Sequence, residues 1–481
     1  MSFDRTLAPA SLAFWLTLPA LCAGGCAGGD PPPRAVIILV DTLRRDALGC
    51  YGAELDPSPV VDGLAAEGVR FDQAISTSGW TLPSVASLMT ATWPSVHKAM
   101  GKSSRLTPIS EDLPTAAEVF SDAGFATLAI ANAAFLSPVL GLERGFDEFD
   151  HRHAFNDRIR RAKESVDTAL GLASEHMDEP MLLVVHLFDP HLDYDPLGKF
   201  ADRFVGDRNE PPLPLSATDC SQVLSKPGEP PNAQDLDYIR SAYLAEVAYT
   251  DAQIGRLCEG LRELGMYDES WIVVTADHGE EFWDHGGFEH GHTLYDELVR
   301  VPLVIKPPAS RGRPLGTVDR QVRIIDVMPT LLDAFGVEAP ASFLGQSLLP
   351  MLSGEDRLDR LVLCESTLYG SDRVALRNGR YKYVLNRAQG AQIPEELYDW
   401  RTDPEESRNL ISSRRDLAQD MRAELHAFQA SIAPEVERTR VGAAENISPK
   451  NRELWEKSLE QLGYTGRDDD DEDDGGASGG H

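Results

Sequence analysis

The sequence predicts a large doubly wound, mostly parallel α/β sheet flanked by helices, with a smaller C-terminal antiparallel sheet plus helix. Four unbroken aliphatic runs have the length and β-branched content of strands that are covered on both faces. They are residues 35–40, 125–131, 181–188 and 271–276. Segments with helical spacing of apolar residues lie between them, and this alternation is typical of a parallel sheet with crossover helices.

The ends of these runs point to one edge of the sheet as the functional one. Three of the four runs end directly at an aspartate, at Asp41, Asp189 and Asp277. Ligands of doubly wound sheets bind outside the carboxyl ends of the strands, so we expect the three carboxylates to converge there. One aspartate after a strand is a common turn former, whereas three on one edge form a candidate metal site.

Helices are predicted where apolar residues recur every three or four positions, at residues 59–67, 162–176 and 238–264. From about residue 360 the pattern changes to short strands, at residues 361–365, 373–377 and 381–385, and Asn378-Gly379 is a strong hairpin signal. A helix around residues 417–428 would close this second sheet. We therefore divide the body into a large α/β domain, residues 35–355, and a C-terminal α+β subdomain, residues 356–440.

Length and charge exclude some classes of function. The chain has 481 residues and a formal charge of −32, and this length exceeds what one hydrophobic core usually serves. Residues 441–481 are predicted to be a tail whose acidic run, residues 468–474, stays disordered because like charges repel. The acidic excess argues against a polyanionic partner, so we expect no binding to nucleic acid.

The N-terminus has the pattern of an export signal. Arg5 is followed by the apolar stretch at residues 12–21, which is too short to span a bilayer. Ala23-Gly-Gly-Cys26 resembles a lipobox, which predicts a signal peptide over residues 1–26, lipidation at Cys26 and a linker over residues 27–34. The alternative is an ordinary cleaved signal peptide. Either places the body in the cell envelope or outside the cell, and a lipid anchor would be its only contact with a membrane.

The densest group of metal-ligating residue types follows the strand that ends at Asp277. Asp277-His278 offers one oxygen and one nitrogen donor, which favours Zn²⁺ or Mn²⁺, whereas a site of carboxylates alone would suit Mg²⁺ or Ca²⁺. Further along the same segment, we expect His285 to make only local hydrogen bonds.

A hydroxyl suited to nucleophilic attack lies at Thr81. Pro83 fits the first turn of a helix, so Thr81 would lie just ahead of the N-terminus, where unpaired N–H groups and the helix dipole favour an anion. Next to a metal ion, such a hydroxyl can attack sulfur or phosphorus. The alternative is that Thr81 only caps the helix.

Seven segments, in order along the chain, resemble landmarks of the sulfatase family within the alkaline phosphatase superfamily, and together they cover roughly residues 34–430. The segments are Val36–Gly52, Val60–Phe71, Thr81–Thr92, Phe188–Tyr194, Thr275–Pro302, Ile325–Gly336 and Glu396–Leu410. The resemblance implies that Asp41, Asp277 and His278 hold a divalent cation. It also implies that Thr81 is the nucleophile and an additional ligand.

The same resemblance implies further roles. Asp189 and His191 would lie at a substrate or second-metal position, with His290 or His292 as another cationic or ligating group. In a two-metal site, Asp189, His191 and His292 would hold the second ion, and His191 and His292 would take part in catalysis. Contacts to the substrate ester are expected from Arg44, His97, Lys98 and His290.

This sequence departs from the family pattern at the nucleophile. The signature is Cys or Ser, any residue, Pro, any residue, Arg, and here it reads Thr81-Leu-Pro83-Ser-Val85. Threonine cannot be matured to formylglycine, and Val85 replaces the signature arginine. The paired aspartates after the first strand are Asp41-Thr42, so one anionic ligand is lost.

Two mechanisms follow from these departures. Thr81 attacks directly, as threonine does in the related nucleotide phosphodiesterases, which suits phosphate esters, or the enzyme cleaves sulfate esters by a variant mechanism. The substrate would be a small-molecule or glycan ester. The main alternative outside catalysis is a binding protein that kept the fold and lost most or all of its activity.

Overall fold

The computed structural model describes residues 31–102, 105–151, 160–208, 231–312, 314, 316–388, 391, 393–441 and 457. The predicted leader with Cys26 and nearly all of the predicted tail lie outside these residues and remain predictions, as does the division of the body at residue 355. In the part of the chain that is described, no helix is long and apolar enough to cross a membrane.

Strands occur where the aliphatic runs predicted them, and further strands, three of them seven or eight residues long, occur where no run predicted one. In chain order they are β1 (Arg34–Val40), β2 (Val69–Ile75), β3 (Gly101–Lys102), β4 (Arg105–Leu106), β5 (Ala126–Ile130), β6 (Glu148–Asp150), β7 (Met181–Leu187), β8 (Ser270–Ala276), β9 (Glu281–Phe282), β10 (Phe288–Glu289), β11 (Arg300–Lys306), β12 (Gly316–Arg323), β13 (Val362–Glu365), β14 (Arg373–Arg377), β15 (Tyr381–Asn386) and β16 (Glu395–Asp399).

The helices include all of those predicted. In chain order they are α1 (Pro59–Glu67), α2 (Thr81–Thr90), α3 (Pro94–His97), α4 (Ala116–Asp122), α5 (Ala162–Glu175), α6 (Lys199–Phe204), α7 (Ala233–Glu263), α8 (Asp296–Val299), α9 (Val327–Phe335), α10 (Leu349–Leu352) and α11 (Arg415–Arg438). The α5 and α7 helices pack against each other, and α5 also covers β7.

The main sheet has eight strands in the order β12-β2-β11-β8-β1-β7-β5-β6. Neighbouring strands pair in parallel except at β11, which runs antiparallel to both β2 and β8. Every residue of β1, β7 and β8 is buried, as expected for central strands covered on both faces. The predicted fold class is confirmed.

The register of the three central strands places their ends side by side. In β1, Val40 pairs with Leu187 of β7 and with Ala276 of β8. The residues that follow two of these, Asp41 and Asp277, therefore emerge together at the carboxyl edge of the sheet.

The smaller sheet is antiparallel, in the order β13-β14-β15-β16, and α11 lies against β14 and β15. A buried ion network fastens it to α8, the short helix that precedes β11 of the main sheet. Lys382 of β15 has no exposed side-chain surface, and its Nζ lies 3.0 Å from Asp296 and 2.9 Å from Glu406. Arg377 of β14 binds the other oxygen of Asp296 at 3.0 Å. Four charged groups thus satisfy one another where water is excluded.

Candidate active site

Two carboxylates and one imidazole meet at the carboxyl edge of β1 and β8. Asp41, Asp277 and His278 are fully buried, and each offers one ligand atom within 4.8 Å of the other two. Nε2 of His278 lies 3.5 Å from Oδ1 of Asp41 and 3.5 Å from Oδ2 of Asp277. This is the group that strand ends and family resemblance predicted.

The hydroxyl of Thr81 lies next to this group. The α2 helix begins at Thr81 itself, with Trp80 at the N-cap, so the hydroxyl does not cap the helix. Instead Oγ1 of Thr81 lies 3.3 Å from Nε2 of His278, and the side chain is buried. The hydroxyl therefore faces the cluster from a helix N-terminus, where the dipole favours negative charge.

The two carboxylates have opposite electrostatic environments. Burial raises the pKa of Asp41, but neighbouring histidines, His186 foremost, outweigh burial and hold that pKa below its ordinary value. Burial, followed by the charge of Asp41, raises the pKa of Asp277 well above its ordinary value. Two like charges this close are costly to bury without a cation between them.

The unpartnered atoms show that a cation fits this group. Both carboxylate oxygens of Asp41 and Oδ2 of Asp277 are buried and accept no hydrogen bond. Buried oxygens of native proteins are nearly always satisfied, so the arrangement of these oxygens around His278 fits a divalent cation. Two carboxylate oxygens, one imidazole nitrogen and the Thr81 hydroxyl form the donor set.

Two further histidines extend the site beyond His278. The ring of His290 lies 4.5 Å from that of His278, and the ring of His191 lies 5.0 Å from that of His290. Burial, with the charge of His278 next, lowers the pKa of His290 well below its ordinary value. The predicted substrate residues His191 and His290 therefore lie next to the cluster.

Hydrogen bonds fix the orientation of both rings. Nδ1 of His290 lies 2.9 Å from Glu280, which also accepts a hydrogen bond from the hydroxyl of Tyr194. Burial raises the pKa of Glu280 to about 8. His191 stacks on Phe188, and its Nδ1 lies 2.6 Å from the backbone carbonyl of the next residue.

The segment between Asp277 and His290 turns within a narrow space. Gly279 donates its backbone N–H to the carbonyl of Leu298, and a Cβ at residue 279 would lie 1.9 Å from the carbonyl oxygen of Glu297. Only glycine allows this approach. His285, expected to bond locally, lies 2.7 Å from Glu297 and stacks on Tyr295.

The structure does not bring the predicted second set of metal ligands together. Asp189 binds Arg161 at 2.9 Å and accepts the backbone N–H of Ala162, so it caps α5 instead of facing the cluster. His292 lies 2.8 Å from Glu281. Among the described residues, only Asp41, Asp277 and His278 form a group of three with metal-binding spacing. These contacts support one ion rather than two.

Three predicted substrate contacts also have other partners. The guanidinium of Arg44 binds Asp46 at 2.7 Å and Asp284 at 2.8 Å. Lys98 donates to the backbone carbonyls of Ser95 and Val436, which ties α3 to α11.

The third predicted substrate contact, His97, is fully buried, and its Nε2 lies 3.0 Å from Oγ of Ser87. Burial lowers the pKa of His97 to about 3. The expectation that His97 contacts the ester therefore fails, because its ring is enclosed by the packing of α2 and α3.

Sequence reasoning missed one residue that borders the cluster, His186, and noted its neighbour Thr42 only as the place of a lost ligand. His186 lies inside the buried run of β7, with Nε2 3.4 Å from Oδ2 of Asp41. Thr42 has a positive φ of 53°, and its buried hydroxyl has no hydrogen-bond partner. The signal for His186 was a single titratable residue within an otherwise aliphatic strand.

Comparisons with known proteins agree with this geometry. The family model described as "Sulfatase" matches residues 33–337, and one for the C-terminal part of N-sulphoglucosamine sulphohydrolase matches residues 283–431. The uncharacterized sulfatase YidJ of Escherichia coli (strain K12) is 25% identical over 444 residues, covering 82% of this chain and 86% of YidJ.

Solved structures are similar in fold. A 2-O GAG sulfatase superimposes with a TM-score of 0.70 at 22% identity, covering 88% of this chain and 96% of that one. A phosphonate monoester hydrolase from Silicibacter pomeroyi superimposes with a TM-score of 0.65 at 24% identity, covering 84% and 96%. With the family model matching well over half of the chain, the protein belongs to the sulfatase family of the alkaline phosphatase superfamily and is a hydrolase of the sulfuric ester class.

Proposed function

We propose that this protein is a metal-dependent hydrolase of sulfate or phosphate esters in which Thr81 attacks the ester directly. The observation that carries the proposal is the position of the Thr81 hydroxyl. It lies at the N-terminus of α2, 3.3 Å from Nε2 of His278 and beside carboxylate oxygens that have no other partner.

The donor set suits one divalent ion held by Asp41, Asp277, His278 and Thr81. The imidazole nitrogen favours Zn²⁺ or Mn²⁺ over Ca²⁺ or Mg²⁺, which prefer oxygen ligands alone. When bound, such an ion would polarise the ester oxygens and lower the pKa of the Thr81 hydroxyl.

The chain's own residues would carry the remaining steps. The Thr81 hydroxyl releases its proton to water, and its oxygen forms the new bond to phosphorus or sulfur as the bond to the leaving oxygen breaks. His191 would give that oxygen a proton and His290 would contact the ester, because the ring of His290 adjoins His278 and the ring of His191 adjoins His290. Water then hydrolyses the ester formed on Thr81.

Charge supports a phosphorus ester with a single negative charge. Asp41 and Asp277 would balance both charges of a divalent ion, so little positive charge remains for a dianionic phosphate monoester. Arg44 and Lys98 do not add any, because both are engaged elsewhere. Phosphodiesters and phosphonate monoesters are therefore the favoured substrates, and the name of the Silicibacter pomeroyi structure agrees with the second class.

Sulfate ester hydrolysis is the second candidate. It is favoured by the family model and by the names of relatives, which include a choline-sulfatase from Rhizobium meliloti that is 26% identical over 476 residues. A sulfate ester also carries one negative charge, so charge does not separate the two candidates. The absence of the formylglycine precursor at Thr81 disfavours it.

The test compares wild type with Thr81→Val, which removes the hydroxyl and keeps the shape. Both proteins would be assayed with aryl phosphodiester, phosphonate monoester, phosphate monoester and aryl sulfate substrates in Zn²⁺ and Mn²⁺. We expect turnover of the favoured substrates to fall by roughly 10⁴-fold or more, because the nucleophile is lost. Thr81→Ser should keep much of the activity.

Thr90→Val is the matched control. Thr90 lies at the other end of α2, is equally buried, and its hydroxyl donates only to the carbonyl of Ala86. It should leave turnover nearly unchanged. Wild-type rates in Thr81→Val would reject the nucleophile, and a preference for aryl sulfate over every phosphorus ester would favour the second candidate.

A further inference from the structure

His186 is a histidine in a place where a strand would ordinarily have an aliphatic residue. It lies on β7 between Val185 and Leu187, and its side chain is about 1% exposed. Neither ring nitrogen has a hydrogen-bond partner. Burying an imidazole without partners opposes folding, so packing alone does not account for a histidine here.

The surroundings of His186 on its own face of the sheet are apolar. A small cavity of about 30 Å³ borders the ring, and the residues around it are Leu39, Val85, Met89, Ile130, Phe149 and Val184 among others. The polar group that the ring approaches is Asp41, with Nε2 of His186 3.4 Å from Oδ2. This contact does not have hydrogen-bond geometry as it stands.

The two oxygens of Asp41 face different groups. Oδ1 lies 3.5 Å from Nε2 of His278, on the side of the metal cluster, while Oδ2 lies on the side of His186. The carboxylate therefore stands between a candidate cation site and a buried ring nitrogen. A residue that donates a hydrogen bond to the non-coordinating oxygen of a metal-binding carboxylate determines how that carboxylate is oriented. Contacts of this kind shorten once the site binds its metal or substrate.

We propose that His186 is a positioning residue of the metal site: its Nε2–H donates to Oδ2 of Asp41 and thereby aims Oδ1 at the cation. The inference rests on the proposed function, because it presupposes that Asp41 is a metal ligand. It goes further by assigning the task of holding Asp41 to a residue outside the donor set. Among the described residues, His186 is the side chain placed to donate to that oxygen.

The experiment measures metal affinity in three variants. His186→Gln places an amide N–H near the position of Nε2, His186→Asn places one nearer the position of Nδ1, and His186→Leu removes the donor. The dissociation constants for Mn²⁺ and Zn²⁺ would be obtained by competition with a chromophoric chelator, and the Mn²⁺ environment by electron paramagnetic resonance. The glutamine and asparagine variants are matched in polarity and differ in reach.

We expect His186→Gln to bind within a few-fold of wild type, and His186→Asn and His186→Leu to bind roughly 10- to 100-fold more weakly, with an altered Mn²⁺ spectrum. If the leucine variant does not fold, the other two still decide the question. The inference about His186 would be overturned, with the proposed function left standing, by either of two results. One is that His186→Asn binds metal as tightly as wild type, and the other is that His186→Gln binds metal as weakly as His186→Asn. Failure of wild type to bind any divalent ion would overturn the proposed function with it.

Discussion

Metal loading should stabilise this protein, because folding places Asp41 and Asp277 together in a buried site with oxygens that no protein group satisfies. A ligand that binds only the folded state adds about 2.7 kcal/mol when its free concentration is a hundred times its dissociation constant. At about 2.1 cal/mol/K per residue, a chain of this size has an unfolding entropy of about 1 kcal/mol/K. We therefore expect the Tm to rise by about 3 °C when chelated protein is loaded with Zn²⁺ or Mn²⁺.

Scanning calorimetry of chelated and reloaded protein measures this difference. Asp277→Asn is the control: it should lose the response to metal yet keep a metal-free Tm at least equal to that of wild type, because the amide removes a charge that burial beside Asp41 penalises. If no divalent ion raises the Tm of wild type, or if Asp277→Asn responds equally, these carboxylates are not the metal ligands.

Two predictions concern buried or partly buried ion pairs. Lys382→Met leaves the buried Glu406 without its cation and Asp296 with Arg377 alone, so we expect a loss of about 3–5 kcal/mol in calorimetry. Lys163→Met, which breaks an exposed pair, should lose no more than about 0.5 kcal/mol, and equal losses would contradict the network's role. Burial lowers the pKa of His285, but the hydrogen bond to Glu297 outweighs burial and raises that pKa to about 9. Protonated His285 therefore stabilises the folded state fully below about pH 6.5, and this stabilisation is lost as pH rises through about 9. Urea unfolding across this range should show a decline of about 1–3 kcal/mol that His285→Gln removes, and an identical decline in the variant would assign it to other groups.

The central sheet and the core of the site were predictable because their signals are local. An aliphatic run ending in an acid specifies both a buried strand and the residue at its carboxyl end, and this held for Asp41 and Asp277. The same logic failed at Asp189, whose carboxylate is held by Arg161. Nothing in the local pattern around Asp189 indicates that partner, because the pairing depends on how α5 returns over β7.

The predicted substrate contacts of Arg44 and Lys98 differ from the structure for a similar reason. Arg44 and Lys98 follow landmarks of the family, and a positive charge near an ester site suggests substrate binding. Their partners, Asp284 and the carbonyl of Val436, come from distant parts of the chain. His186 was overlooked for the opposite reason, since its strand was identified correctly and its orientation toward Asp41 depends on the register between β1 and β7.

The adjacency of β1 and β8 has a consequence for the order of events in folding. Asp41 and Asp277 come from opposite halves of the chain, and parallel pairing over such a separation forms slowly, since the loop-closure entropy is lost before the contacts form. An emerging N-terminal half would hold Asp41 and Thr81 but neither Asp277 nor His278. Cation binding at the proposed site would therefore be a late event, and it would report that β1 and β8 have paired.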